Sequence, residues 1–384
     1  MTRARVFYGR GLLEGEVQEG TAVTVRDGRI EAVARLPRPP AGAEVLDGIL
    51  APGFVDLHVH GGGGADFMDA EPEAVGAVAA FHLRHGTVAL AATTLSASRE
   101  AVGRCVAAVA RAWRREREGD PGPPRARIVA LHLEGPYLNP RRAGAQDPEA
   151  IRPADPAELE GWLDLAAGLP VTMTVAPEAP GVADLIPRFR GRTRFAIGHT
   201  EATFEQARSA LDLGARHFTH LFNAMPPLDH HRPGPVGAAL ASGDATAELI
   251  ADGVHVHPAL LALVFRALPG RAALVTDAMR AAGMPEGVHA LGRLRATVAA
   301  GAARLADGTL AGSLLTMDRA VANLVERAGL PLAAALTAAA EVPARVLDLP
   351  LGRLAPGCPA DLVELGDDLA VRRVLLGGEE VAAG

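Results

Sequence analysis

The chain is 384 residues long and 49% hydrophobic, and it carries 38 basic against 45 acidic residues, a formal charge of −7. That length buries a sizeable core, and an acidic balance without a long basic run excludes a protein built to follow a phosphate backbone, so no nucleic-acid partner is expected. A (β/α)8 barrel takes roughly 250 residues, so the length fits one barrel and one small domain.

The opening segment, MTRARVFYGRGLLEGEVQEG, lacks the apolar stretch of a secretory signal, and no run of about 18 apolar residues follows anywhere, which predicts neither export nor a membrane span. Cys105 and Cys358 are far apart in a chain too large to need a disulfide framework, which fits a reducing cytoplasm. No lysine occurs, so all 38 basic residues are arginine.

Residues 1–48 read as short strands, with alternation in TAVTVRDGRIEAV and turn signals at Asp27-Gly28 and Asp47-Gly48. From about 49 the rhythm changes to apolar strands followed by alanine-rich helical stretches. The strand candidates are ILAPGFVDLHVH, TVALAATTL, RIVALHLEG, PVTMTVAPE, RFAIGHT, RHFTHLFN, AELIADGVH and AALVTDAM. Helical spacing lies between most of them, for example over Phe204–Leu213 and Pro258–Leu268. Eight such units favour a closed parallel barrel over an open doubly wound sheet. After the eighth, 287–313 reads as strands and turns, Met317–Ala340 as helix, and the end as short strands again. The expected architecture is a (β/α)8 barrel over 49–349 with a small β-sandwich domain made from both termini, 1–48 plus about 350–384.

Barrel strands carry their chemistry at their C-terminal ends. Here those ends hold His58 and His60, Glu134, His199, His220, His255 and Asp277. Residues two apart on a strand share a face, so His58 and His60 can converge on one ion while Val59 points away. Imidazole and carboxylate donors suit a divalent metal, zinc first, with iron, cobalt or manganese tolerated by the same set. His132 shares the face of Glu134 but lies deeper, so it reads as packed and hydrogen-bonded. His82, His85 and His289 read as helix or loop surface, and His217, out of phase with His220, as facing the helices.

These residues carry a resemblance. PGFVDLHVHGG resembles the first-strand motif of the metal-dependent amidohydrolase superfamily, and HLEGPYLNP, AIGHT, HLFNAMPPL, IADGVH and LVTDAM together resemble the N-acetylglucosamine-6-phosphate deacetylases over nearly the whole chain. The resemblance implies a homodimer that hydrolyses the N-acetyl group of N-acetyl-D-glucosamine 6-phosphate. It implies that Glu134, His199 and His220 bind the main metal, that His58 and His60 hold a second, giving one or two ions per subunit, and that Asp277 is the catalytic acid/base. Asn223, Ala224, His231 and Arg232 match positions that contact phosphate, the last pair often from the neighbouring subunit; His255 matches a sugar contact, and Gln146 a substrate contact. Many superfamily relatives bridge their metals with a carboxylated lysine, which a chain without lysine excludes. A nucleobase deaminase, a deacetylase for the galactosamine epimer, and a catalytically silent barrel are the competing readings.

Overall fold

The computed structural model describes residues 4–120 and 122–383. Four strands open the chain, β1 (Arg5–Leu13), β2 (Glu16–Arg26), β3 (Arg29–Arg35) and β4 (Glu44–Pro52). The barrel strand β5 (Phe54–Val59) follows, then a two-rung ribbon of β6 (Gly61–Gly62) and β7 (Ala65–Asp66). The alternation that begins there runs α1 (Pro72–Arg84), β8 (Thr87–Thr94), α2 (Arg99–Arg117), β9 (Arg127–Glu134), α3 (Pro156–Ala166), β10 (Val171–Val175), α4 (Val182–Phe189) and β11 (Thr193–Ile197). It continues through α5 (Phe204–Leu213), β12 (His217–Phe218), α6 (Gly234–Ala241), β13 (Thr246–Ile250), α7 (Pro258–Ala267) and β14 (Ala272–Val275). A three-stranded sheet of β15 (Gly287–Leu291), β16 (Leu294–Ala299) and β17 (Ala302–Arg304) comes next, then α8 (Met317–Glu326), α9 (Leu332–Ala339) and α10 (Glu341–Val346). The chain closes on β18 (Leu362–Leu365), β19 (Val371–Leu376) and β20 (Glu379–Ala383).

The eight parallel strands β5 and β8–β14 form one sheet whose two edge strands, β5 and β14, meet. At that seam Val59 bridges Ala278, and the Asp277 N–H donates to the His58 carbonyl at 2.9 Å. Both faces of such a sheet are covered, so β8 is buried at every position, as its unbroken apolar reading requires. Helices on the outside bury a stripe; in α2 this is Val102, Cys105, Val106 and Val109, spaced three or four apart. Their starts are set locally: Ser98 and Asp155 accept from first-turn amides, and Thr203 with Gln206 forms a reciprocal cap.

Both termini build the seven-stranded mixed sheet, in the order β20-β19-β18-β4-β1-β2-β3. β4 is its pivot, parallel to β1 and antiparallel to β18. The sheet bends over a core of its own, Phe7, Val23, Ile30, Leu50, Leu362 and Leu375, and the Ile30 N–H reaches the Cys358 carbonyl at 2.9 Å across the fold. Arg127 at the start of β9 ties barrel to sheet through a two-pronged pair with Asp361, which is buried.

Two strand readings need correction. The stretch 49–60 is not one strand: residues to Pro52 pair in the terminal sheet, and the barrel strand begins at Phe54. Gly53 makes the break, where any Cβ would lie 2.3 Å from a Val88 methyl. RHFTHLFN contributes only His217 and Phe218 to the barrel, because the backbone leaves the extended region within two residues. Among the described residues no helix is long and apolar enough to cross a membrane.

Candidate metal centre and active site

The polar residues flagged at the strand ends meet in one place, and several stand on unusual backbone. His199, His220 and Asp277 adopt left-handed φ values of 47°, 26° and 48°. For residues with a side chain that conformation costs on the order of 1–3 kcal/mol each and persists only where neighbours fix it. They do so here. The His220 N–H donates to Glu248 Oε2 at 3.0 Å, the His199 carbonyl accepts from Asn139 at 3.0 Å, and Asp277 is held on both sides, by His58 and by the Ser313 N–H at 2.7 Å. The bend turns each side chain off the end of its strand and over the barrel mouth.

Two groups of donors result. His199 Nε2 and His220 Nε2 are 3.0 Å apart and lie 3.1 and 3.0 Å from Glu134 Oε1. Beside them, His58 Nε2 and His60 Nε2 are 3.2 Å apart and lie 3.5 and 3.3 Å from Asp277 Oδ1. Glu134 stands between the groups, its Oε1 3.4 Å from His58 and its Oε2 3.2 Å from His60. All six residues are buried.

The tautomers decide what this cluster wants. His199 Nδ1 faces the Arg142 carbonyl at 2.9 Å, an atom that only accepts, so Nδ1 carries a proton and Nε2 is the nitrogen left to face a metal. His58 Nδ1 faces Glu248 Oε2 at 3.0 Å, with the same outcome. At these distances the Nε2 atoms and carboxylate oxygens are held together only by positive charge among them, a proton or a metal ion. A tetrahedral ion with bonds of about 2.1 Å spaces its ligand atoms about 3.4 Å apart, close to what is found. Each of the two triads, His58/His60/Asp277 and Glu134/His199/His220, can hold a metal ion.

The electrostatics agree. Burial disfavours charge on His58, yet Glu134, Asp277 and Glu248 outweigh it and hold its pKa well above the ordinary value. His60, equally buried, is raised to about 9 by Asp277 and Glu134. Against burial, Glu134 is held below the usual carboxylate range by His58, His199 and His220, and Asp277 by His58 and His60. Such a pocket demands positive charge, whether protons or metal.

Behind the donors lie residues that the sequence reading passed over. Glu248 on β13 joins His58, the His220 amide and His217 Nε2, the last at 3.0 Å. His217 therefore faces the barrel interior and not the helices. Asp56, two residues before His58, accepts from the Thr276 hydroxyl at 2.5 Å and from the His58 and Thr276 amides at 3.2 Å, clamping the seam; burial pushes its pKa up to about 7. His132 is packed and hydrogen-bonded as expected, 2.7 Å from the Thr174 hydroxyl. His82 is a further correction: it is fully buried on α1, bonded at 3.0 Å to the Gly61 carbonyl. His85 is half-buried at the end of α1 and His289 half-buried on β15.

A cavity of about 300 Å³ opens over the donors, lined among others by His60, Glu134, His199, His220 and Asp277. Gln146, Asn223, Ala224 and His255 also line it. The Gln146 amide is engaged, donating to Glu134 and accepting from the Ser96 amide at 2.6 Å. His255 is oriented by Asp252 at 2.6 Å. His231 and Arg232 do not join them: both are exposed, their amides turned to Asp229, and both line a separate cavity with Arg142 and Phe204. In their place the chain brings Arg304 from β17, with Thr309 and Leu310 of the following loop. No sequence signal marked Arg304, because it lies beyond the eighth strand, in a segment read only as strands and turns.

The sequence pattern of the amidohydrolase family matches residues 49–381. Over 358 residues the chain is 38% identical to the N-acetylgalactosamine-6-phosphate deacetylase of Escherichia coli O157:H7, covering 92% of this chain and 93% of that one. It is also 38% identical over 319 residues to the N-acetylglucosamine-6-phosphate deacetylase of Bacillus subtilis (strain 168), covering 82% and 80%. A solved structure of a mutant N-acetyl-D-glucosamine-6-phosphate deacetylase from Mycobacterium smegmatis, in complex with N-acetyl-D-glucosamine 6-phosphate, superposes with a TM-score of 0.92 at 38% identity and covers 100% of both chains.

Proposed function

The chain belongs to the amidohydrolase family, and from that premise we propose that it hydrolyses the N-acetyl group of N-acetyl-D-glucosamine 6-phosphate, releasing D-glucosamine 6-phosphate and acetate. The observation that carries the reading is the convergence of four imidazole Nε2 atoms with Glu134 and Asp277, within 3.0–3.5 Å, at the floor of the cavity. The donor set fits a divalent metal, with Glu134, His199 and His220 as one site and His58 and His60 as a second; zinc is the first candidate. Such an ion supplies Lewis acidity, making water more acidic and a bound carbonyl more electrophilic.

The chain's own groups do the rest. Asp277, ionised and at the cavity surface, takes the proton of the attacking water as its oxygen bonds to the acetyl carbon. When the C–N bond breaks, the same carboxyl gives that proton to the departing sugar nitrogen, so acetate and free amine leave and Asp277 is restored. Glu248 and the Arg142 carbonyl keep the histidines in the working tautomer throughout. Gln146, linked to Glu134 and Ser96, fixes the metal-facing carboxylate beside the acetyl group.

Phosphate needs donors, and in a chain without lysine these are arginine, histidine or backbone amides. Asn223, Ala224, His255 and Arg304 share the cavity and are assigned to the sugar phosphate; His231 and Arg232, outside it, are assigned to the cavity of a neighbouring subunit in a homodimer. Two free, buried cysteines accord with work in the cytoplasm.

A second reading, the galactosamine epimer as substrate, is favoured by the Escherichia coli relative at the same 38% identity. The test is acetate release by metal-quantified protein from both 6-phosphorylated epimers and from unphosphorylated N-acetylglucosamine. Turnover of the gluco 6-phosphate alone supports the assignment. Preference for the galacto epimer moves it to the second reading, and no turnover of either by metal-replete protein removes both.

A further inference from the structure

Behind the cavity over the metal donors lies a second one of about 500 Å³, running toward Met68, Ser98 and Arg293. The two have three lining residues in common, Leu95, Ala145 and Leu291, and all three are apolar. Leu95 and Leu291 are buried in one small cluster, with Ala145 against it, between the barrel mouth and the three-stranded sheet. A Cβ on neighbouring Gly292 would lie 3.3 Å from a Leu95 methyl, so hairpin and barrel loop are in close contact here. These three residues face both cavities, so they stand between the one over the metal donors and a larger neighbour.

The barrel order gives this partition a direction. Leu95 follows β8, the second strand of the ring, whereas Asn223 and Ala224 follow β12, the sixth, and an eight-stranded ring puts second and sixth strands opposite each other. With Asn223, Ala224 and His255 holding the sugar phosphate on the β12–β13 side, Arg304 joining them from β17, and the amide carbon over the donors, the acyl substituent would extend toward Leu95, Ala145 and Leu291. A methyl group meets an apolar wall there, and a longer chain meets it too soon.

We propose that Leu95, Ala145 and Leu291 form the wall that sets the length of the N-acyl group accepted, and that the space behind it would accept longer acyl chains were the wall thinned. The inference rests on the deacetylase reading above. One added methylene in an apolar pocket is commonly discriminated by 10- to 200-fold, so the wild-type enzyme turns over the acetyl sugar 6-phosphate well ahead of the butyryl one.

The experiment compares kcat/KM for N-acetyl- and N-butyryl-glucosamine 6-phosphate in wild type, Leu95→Ala, Leu291→Ala and Ala145→Leu, with the melting temperature and metal content of each. The acetyl-to-butyryl ratio is expected to fall about ten-fold in either truncation. Ala145→Leu, which adds to the wall without emptying the core, is expected to lower acetyl turnover while N-formyl turnover persists. A ratio unchanged in folded, metal-loaded truncations overturns the wall, as does equal loss of formyl and acetyl turnover in Ala145→Leu. Should the truncations fail to fold, Ala145→Leu decides alone. Failure of wild type on the acetyl substrate itself is the separate outcome that removes the deacetylase reading and this inference with it.

Discussion

Glu248 Oε2 lies 3.0 Å from His58 Nδ1 and 3.0 Å from the His220 amide, so one buried carboxylate positions a histidine of each donor group. A carboxylate behind a metal-binding histidine fixes its tautomer and raises its basicity. Glu248→Gln keeps the volume but puts an amide where two donors now converge. The expected outcome is a 10- to 100-fold weaker hold on metal, read by competition with a chromogenic chelator. Unaltered affinity would show that His58 is oriented without it.

Asp277 is assigned the proton transfers, and its depressed pKa keeps it ionised across the neutral range. Asp277→Asn should lose roughly 10²- to 10⁴-fold or more in kcat, because an amide cannot accept the water proton. The Glu134, His199 and His220 group is untouched by the change, so the purified variant should retain metal there. Activity near the wild-type level would transfer the role to another group.

Arg304 lines the metal-donor cavity. Its Nη1 donates to the Gly308 carbonyl at 2.9 Å, leaving the rest of the guanidinium for an anion. Arg304→Ala should raise KM for the phosphorylated sugar roughly ten-fold, the scale of one charge-assisted hydrogen bond, with kcat little changed. Steady-state kinetics together with inhibition by the product glucosamine 6-phosphate, whose Ki should rise by a similar factor, check this. A loss in kcat with KM and Ki unchanged would place Arg304 elsewhere in the chemistry.

His82 gives a pH dependence to stability. Burial lowers its pKa from 6.5 to about 4, with the Gly61 carbonyl opposing only in part. The unfolded chain then takes up a proton near pH 6.5 that the folded chain refuses until about pH 4. Stability from this group is whole above pH 6.5 and falls as pH drops toward 4, by about 3 kcal/mol in all. Urea titrations at pH 7 and 4.5 should show that His82→Gln loses less on acidification than wild type does. Parallel losses would assign the acid sensitivity to other groups.

How much of this was legible in the sequence depended on where each residue sits relative to regular structure. His58 and His60 could be paired because strand periodicity holds through Val59, and the helix over Phe204–Leu213 followed from its spacing and its cap. His217 was misread for the converse reason. Counting back from His220 assumes extended backbone, yet His220 has already turned into the left-handed region, so the alternation that places His217 breaks between them. Glu248 and Asp56 were invisible because an acidic residue inside an apolar strand carries no mark of its partners, which come from strands remote in sequence. His82 shows the limit of amphipathic patterning, since a histidine on a helix reads as polar until a backbone carbonyl is found to satisfy it. The assignment of His231 and Arg232 depends on a surface that one chain does not supply.

The pivot strand β4 has a consequence for the order of synthesis. Its neighbour β1 is made before it, but β18, on its other edge, begins 310 residues after Pro52. At about 5–20 residues per second, that is roughly 15 to 60 s of translation. Through that interval one side of β4 offers unpaired amides and carbonyls, the feature by which strands recruit wrong partners. All eight barrel strands are made in the same interval, so the barrel can close first and present β4 beside a finished body. The last β-strands then seal the earliest part of the chain, and a nascent chain stalled before Leu362 would carry a complete metal centre next to an open, adhesive edge.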